Sequence, residues 1–486
     1  MFAVLIKKEI LDAVRSFRFL IATLLCLILV PVGMYINLKE YEKRLADYEE
    51  AEQLYVAHSK GALDAEFPAE GYRPPSPLSV FSIGLEYFIP NQIVTAREGN
   101  VRISNAQGVD NPQSLLFGKV DLLFNVSYVI SLLALLFAFN TITGEKEEGT
   151  LRQIMSNPVP RARILAAKLA GNYLVLLIPF LLSIVISLLI VSMTGVIPLF
   201  SAKLFPALIL ILATTFLFIL SLFTLGILVS TLSHRSITAI VVLLLLWTIL
   251  VLSLPKICPM LAEIIHPVKS QQVFNRQKTI ARESIEKERE IRLRTLWGEL
   301  APRFNLDPNQ VFTGGRSEAQ RNLLASYDTA KAVIDRQYNE RVAATQRHLE
   351  DEYQNDRQQQ ARIALDLSRL SPASCYTYVI SALSGSGTIE LTTLRENADR
   401  FQQQVSDNIY SKIIVKQYLG THGSAWSTEY APGFDPSKAD VPELTYQPTG
   451  FSDALRSEWL DIVLLALYAG IFFVGSYVSF LRYDVR

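Results

Sequence analysis

Residues Leu174–Gly195 read LVLLIPFLLSIVISLLIVSMTG, twenty-two positions without a charge. A bilayer core about 30 Å thick takes roughly 20 apolar residues of helix, because lipid offers no partner to an exposed backbone N–H or C=O. A helix in a soluble core seldom runs this far uncharged, so the stretch reads as a membrane span. Two more charge-free runs follow, ALILILATTFLFILSLFTLGILVSTL at Ala207–Leu232 and ITAIVVLLLLWTILVLSL at Ile237–Leu254. Working outward, the chain reads as an α-helical polytopic membrane protein with about six transmembrane helices: 19–38, 120–141, 169–194, 205–232, 236–254 and 459–481.

Composition agrees with spans plus a sizeable water-exposed portion. Of 486 residues, 50% are hydrophobic and 19% charged, with 46 Lys and Arg against 46 Asp and Glu. Zero net charge leaves no excess of cations to displace counterions, so nucleic acid is not an expected partner. Three cysteines and five histidines leave little for a Cys/His metal cluster, and no metal site is expected.

Orientation follows from Lys and Arg in short loops, which stay cytoplasmic. With the N-terminus inside, Lys7, Lys8, Arg15, Arg18, Lys146, Arg152, Arg161, Arg163, Lys168, Arg235, Arg482 and Arg486 all fall inside. The expectation is a multi-pass protein of the inner (plasma) membrane with both termini cytoplasmic. Residues 1–18 precede the first span with charges of both signs and no small-residue cleavage pattern follows, which favours a retained span over a signal peptide. Within them, Phe2, Leu5, Ile6, Ile10 and Val14 fall near one helical face, with Lys7, Lys8, Glu9 and Asp12 turned elsewhere. That suits an interfacial N-terminal helix.

Two long segments then lie outside. Segment 39–119 opens as a charged continuation of the first span, is broken at GYRPPSPLS, and offers SVFSIGLEYF and QIVTAREGNVRIS as short strands. Segment 255–458 reads as a large, mainly helical external domain. Its stretches 270–301 and 318–370 carry apolar residues at steps of three and four, which predicts an antiparallel helix hairpin separated by PRFNLDPNQVFTGG. By this topology Cys258 and Cys375 both lie near the outer surface. A bridge between them would close a loop of about 117 residues, and two unpaired buried thiols fit equally well.

Catalytic motifs are missing. No GxxxxGK[ST] phosphate loop, HExxH or GxSxG occurs, and Asp121 and Asp461 sit near outer span ends, where a cap or a pathway lining would both suit them. No catalytic, cofactor or metal residue is assigned.

One inside loop has a definite pattern. In 142–168 the acidic run Glu145–Glu148 with Gly149 and Thr150 suits the N-terminus of a short helix Leu151–Met155, and Pro158 and Pro160 stop it. The string GEKEEGTLRQIMSNPVPRARILAAKL resembles the E-x-x-x-G-T-L, S-x-P-x-x-R and K pattern of ABC type-2 exporter permeases, through Glu145, Gly149, Thr150, Leu151, Ser156, Pro158, Arg161 and Lys168. PPSPLSVFSIGLEYF and LSRLSPASCYTYVISAL are similar to the subgroup often labelled permeases of multi-copper enzyme maturation systems, although five Met and five His supply few soft ligands.

The resemblance implies a transmembrane permease subunit of an ABC transporter, without ATPase activity of its own. Its 142–168 segment would dock on a cytoplasmic ABC ATPase that holds ATP and Mg, beside a second permease copy or a relative. The external domain would choose an external protein or lipid-carrier partner, or cap the path. The alternative is a non-transport membrane anchor or receptor whose external hairpin tethers a partner.

Overall fold

The structure, a computed structural model, describes residues 2–59, 69–95, 101–105, 119–156, 159–308, 317–420, 423–435 and 442–482. It divides into two compact units, one of residues 1–255 with 369–486 and one of residues 256–368. Among the described residues, six helical runs are long and apolar enough to cross a membrane: Phe17–Ala57, Leu122–Glu147, Arg161–Thr194, Phe205–Leu232, Ser236–Ile265 and Phe451–Arg482.

The first unit begins with α1 (Phe2–Val14) and α2 (Phe17–Ser59). The next span, α3, is assembled from Leu122–Phe124, a π-helical turn Asn125–Ile130 and Ser131–Ala138. Two short helices, α4 (Thr143–Glu147) and α5 (Thr150–Ser156), lead to α6 (Arg161–Thr194) and α7 (Phe205–Leu232). Helix α8 starts at Ser236–Trp247, passes through a second π-helical turn at Thr248–Ser253 and continues as Leu254–Ile265.

Packing explains why the uncharged runs are helices with two faces. Phe180, Phe218, Leu222 and Phe223 are buried in the bundle, whereas Ile178, Leu182, Val185 and Leu189 of α6 are exposed. An apolar face of this kind is stable against lipid and costly against water. Close approach of α3 and α7 depends on Gly226, where an added Cβ would fall 2.4 Å from Cβ of Ala138. Small residues at such crossings let dispersion contacts between backbones replace the missing hydrophobic drive.

Segment 372–383 belongs to the expected external domain 255–458. It forms α11 (Pro372–Leu383), which is packed into the bundle core. Tyr376 is fully buried, stacks on Phe218 at 4.6 Å and shares a 3.1 Å hydrogen bond with Thr215 Oγ1. The expected domain 255–458 is therefore not one body: residues 256–368 form the second unit and the remainder packs with the first.

A second core joins the two long segments. Strands β1 (Ala69–Tyr72), β2 (Gln92–Thr95) and β3 (Val101–Ser104) pair antiparallel in that order. Ile89 and Ile93 pack with Leu394, Ala398, Phe401 and Val405 of α12 (Ile389–Asn408). QIVT and VRIS are strands, and the intervening residues 96–100 of that expectation lie outside the described residues. SVFSIGLEYF is not a strand. Pro77 starts a 3-10 turn (Pro77–Val80), and the following chain is held to the 384–386 loop, with Leu85 N donating to Ser386 O at 2.8 Å. A hairpin of β4 (Ile413–Gly420) and β5 (Gly423–Tyr430) precedes the last span, α13 (Phe451–Arg482).

The second unit is the expected helix pair, α9 (Gln271–Leu300) and α10 (Glu318–Ser368). Phe274 stacks on Tyr353 at 4.1 Å, and Trp297 meets Tyr327 edge-on at 5.2 Å, so the helices run antiparallel. The seam is narrower than the sequence stripe: Phe274, Ile285, Leu296, Leu323, Ile334 and Tyr353 are buried, while Val273, Ile280 and Ile291 are exposed. The connector PRFNLDPNQVFTGG opens in a 3-10 turn (Ala301–Phe304), and its residues 309–315 lie outside the described residues.

Candidate functional site

Segment 142–168 folds as α4, α5 and the first turns of α6. Between α4 and α5, Gly149 takes φ +73°, the left-handed region that favours glycine, with nothing within 4 Å of an added Cβ. Thr150 opens α5, and Leu151 is buried beneath it. Ile154 and Met155 pack partly against the bundle. Glu148, Arg152, Gln153 and Ser156 are exposed. Pro158 lies outside the described residues.

Glu145 differs from its expected capping role. It lies inside α4 and accepts a hydrogen bond from Lys168 Nζ at 2.5 Å. The same ammonium reaches Glu9 Oε1 at 3.0 Å, while Asn172 Nδ2 donates to Glu9 Oε2 at 3.3 Å. Lys168 is 3% exposed, so its charge is stable only because two carboxylates flank it.

Sequence periodicity turned Glu9 away from the apolar face of α1. Here the half-buried face is Leu5, Ile6, Glu9, Ile10 and Ala13, and Phe2 and Val14 are exposed. The close approach needs Gly171, where an added Cβ would lie 2.6 Å from Cβ of Glu9.

The rest of the segment holds the ends of neighbouring helices. Lys146 Nζ donates to the carbonyls of Thr231 and Ser233, the acceptors left open at the C-terminus of α7. Glu147 accepts from Ser236 N at 2.9 Å and Ser236 Oγ at 2.7 Å, meeting the N-terminus of α8. Ser230 Oγ accepts from the amides of Ile142 and Thr143. Arg18 of α2 donates to Asn140 Oδ1 at 2.6 Å and lies over the Phe139 ring.

Arg161, expected in the ATPase-coupling segment, donates to Leu481 O at 2.7 Å and Phe480 O at 3.4 Å, closing the C-terminus of α13. Thus 139–168 touches every span, and Glu145 and Lys168 are brought together. Gly149, Thr150, Leu151 and Ser156 form a separate group around α5. Sequence reading missed Glu9, Arg18, Glu147 and Ser230 in these roles, for only their long-range partners distinguish them from ordinary surface or helix residues.

Cys258 and Cys375, like Cys26, are free and buried, so the bridged alternative is not the form of this structure. Asp121 is a cap, accepting from Phe124 N at 2.7 Å and Ile83 N at 3.0 Å. Asp461 is fully buried against Arg369, whose Nη2 lies 2.9 Å from Oδ2. Among the described residues no cluster of His, Cys, Asp and Glu could hold a metal ion.

No curated protein matches this chain significantly. A family model described as ABC-2 family transporter protein matches residues 3–485, nearly the whole length. Six candidate spans, a helix ahead of the first and the α4–α5 loop between the second and third sit in a chain that belongs to the ABC-2 transporter family.

Proposed function

We propose that this permease receives force from a separate cytoplasmic ABC ATPase through α5 and passes it to the spans. The observation that carries the reading is the position of α5: its outer face is exposed, and the adjoining α4 and start of α6 hydrogen-bond to the ends of the surrounding helices. A rigid element with one exposed face and several anchored contacts transmits displacement better than a free loop. ATP and Mg belong to the ATPase subunit, and this chain is the non-catalytic partner.

Two permeases, identical or related, would face one another above two ATPases. Closure on ATP would bias the spans between two arrangements, since a ligand shifts a conformational equilibrium only by binding one arrangement better. The charge of the short loops supports cytoplasmic termini, and an ATP-driven permease of this kind would sit in the inner (plasma) membrane. The external unit would meet a protein or lipid-carrier partner.

Co-purification of the tagged chain from its native membranes with an ABC ATPase, identified by mass spectrometry, tests the reading. The pair should survive in detergent and be lost on Arg152→Glu with Gln153→Glu while the bundle stays folded. Undiminished association in that double variant would place the contact elsewhere.

A further inference from the structure

A cavity of about 330 Å³ lies between the start of α3, the second π-helical turn of α8 and α11. That volume is at the lower end of the roughly 300–1,000 Å³ of small-molecule sites. Phe124, Tyr128, Val251 and Pro255 give it apolar and aromatic walls, and Ser127 and Thr377 add hydroxyls.

Three observations separate it from a packing gap. Ser127 is 5% exposed and its Oγ has no hydrogen-bond partner, an arrangement that costs free energy unless an occupant answers it. Two of the three helical walls, α3 and α8, carry a π-helical turn, Asn125–Ile130 and Thr248–Ser253. Such turns are rare and concentrate at functional sites. One turn beyond each wall, Trp247 Nε1 donates to Ser131 Oγ at 2.9 Å and ties α8 to α3.

The charges at the rim are already paired. Lys119 Nζ lies 2.8 Å from both carboxylate oxygens of Glu40, and Asp121 is occupied with the amides of Ile83 and Phe124. A charged ligand would have to displace one of these interactions, whereas a neutral one needs only the hydroxyls and the aromatic walls.

We propose that this cavity binds an uncharged amphipathic molecule, its apolar body against Phe124, Tyr128 and Val251 and a hydroxyl or carbonyl end at Ser127. Taking that molecule as transported cargo rests on the permease reading; binding does not, and is measured without nucleotide or ATPase. The full chain in nanodiscs is photolabelled with a diazirine-bearing decanol and the labelled peptides are mapped by mass spectrometry.

Labelling should saturate, concentrate on residues 124–128 and 251–255, and be displaced by decanol but not by decanoate or decyltrimethylammonium. Displacement by dioctanoylglycerol as well identifies the occupant as a neutral lipid; displacement by decanol alone identifies a free amphiphile. Ser127→Ala should raise the half-saturating concentration about three- to tenfold, and Ser127→Leu should abolish site labelling. Non-saturating label spread over the lipid-facing helices, equal displacement by the charged analogues, or an unchanged alanine variant overturns the site. Should the leucine variant fail to fold, the alanine variant decides alone. Any of these failures leaves the permease reading standing.

Discussion

Nζ of Lys168 lies 2.5 Å from Oε1 of Glu145, joining the third span to the loop that precedes it. With Glu9 at 3.0 Å, this ammonium joins its own helix α6 to two others, α1 and α4. Removing one member of a buried ion pair leaves the others uncompensated, at a cost of about 3–5 kcal/mol. Lys168→Met should therefore lower thermal stability in detergent sharply. Lys8→Met, at an exposed position of α1, should change it little.

Gly149 should be replaceable only with backbone strain. Its positive φ with open surroundings means that Gly149→Ala meets no clash and costs only the left-handed penalty, about 1–2 kcal/mol. Gly470 of α13 also has open space, with an ordinary helical backbone, so Gly470→Ala should stabilise by up to about 1 kcal/mol. Thermal shifts of opposite sign check the pair; a neutral Gly149→Ala would contradict the assigned backbone.

Arg161→Glu should destabilise the bundle rather than the ATPase contact. It replaces a donor with a carboxylate facing the carbonyls of Phe480 and Leu481, a loss of about 1–3 kcal/mol. The readout is faster hydrogen exchange at the end of α13, with ATPase association retained once the protein is folded. Loss of association at unchanged exchange would return Arg161 to the docking surface.

Asp461 and Arg369 should show strong coupling in a double-mutant cycle. Asp461→Asn alone leaves a guanidinium beside a buried amide, so the single change should cost more than its effect in an Arg369→Gln background. Additive effects would mean that the pair is energetically idle.

Topology is testable at two exposed serines. In a variant lacking Cys26, Cys258 and Cys375, Ser156→Cys should resist an impermeant thiol reagent in intact cells, and Ser317→Cys should react. The reverse pattern would overturn the cytoplasmic placement of α5.

The spans were legible because twenty uncharged residues have few other stable settings. The α9–α10 pair was legible because apolar steps of three and four mark a helical seam. Other features depended on partners far along the chain. Glu9 reads as a surface charge until Lys168 is placed beside it, and the bond Arg161 makes is invisible until α13 returns. Segment 372–383 is too short to cross a bilayer, so its apolar character did not reveal a helix buried among the spans. SVFSIGLEYF has strand-forming residues, yet Pro77 and the hydrogen bonds to the 384–386 loop hold it in turns. In the candidate site, the pattern around Gly149 and Leu151 was visible, while the attachments of its flanks were not.

The bond from Arg161 to Leu481 spans 320 residues. At a synthesis rate of about 5–20 residues per second, the carbonyl that answers Arg161 emerges roughly 16–64 s after the arginine itself. The third span must therefore enter the bilayer and persist with its leading guanidinium facing water or headgroups before the last span arrives. This contact waits on the arrival of α13: a chain halted before that helix lacks the bond that ties the start of α6 to it.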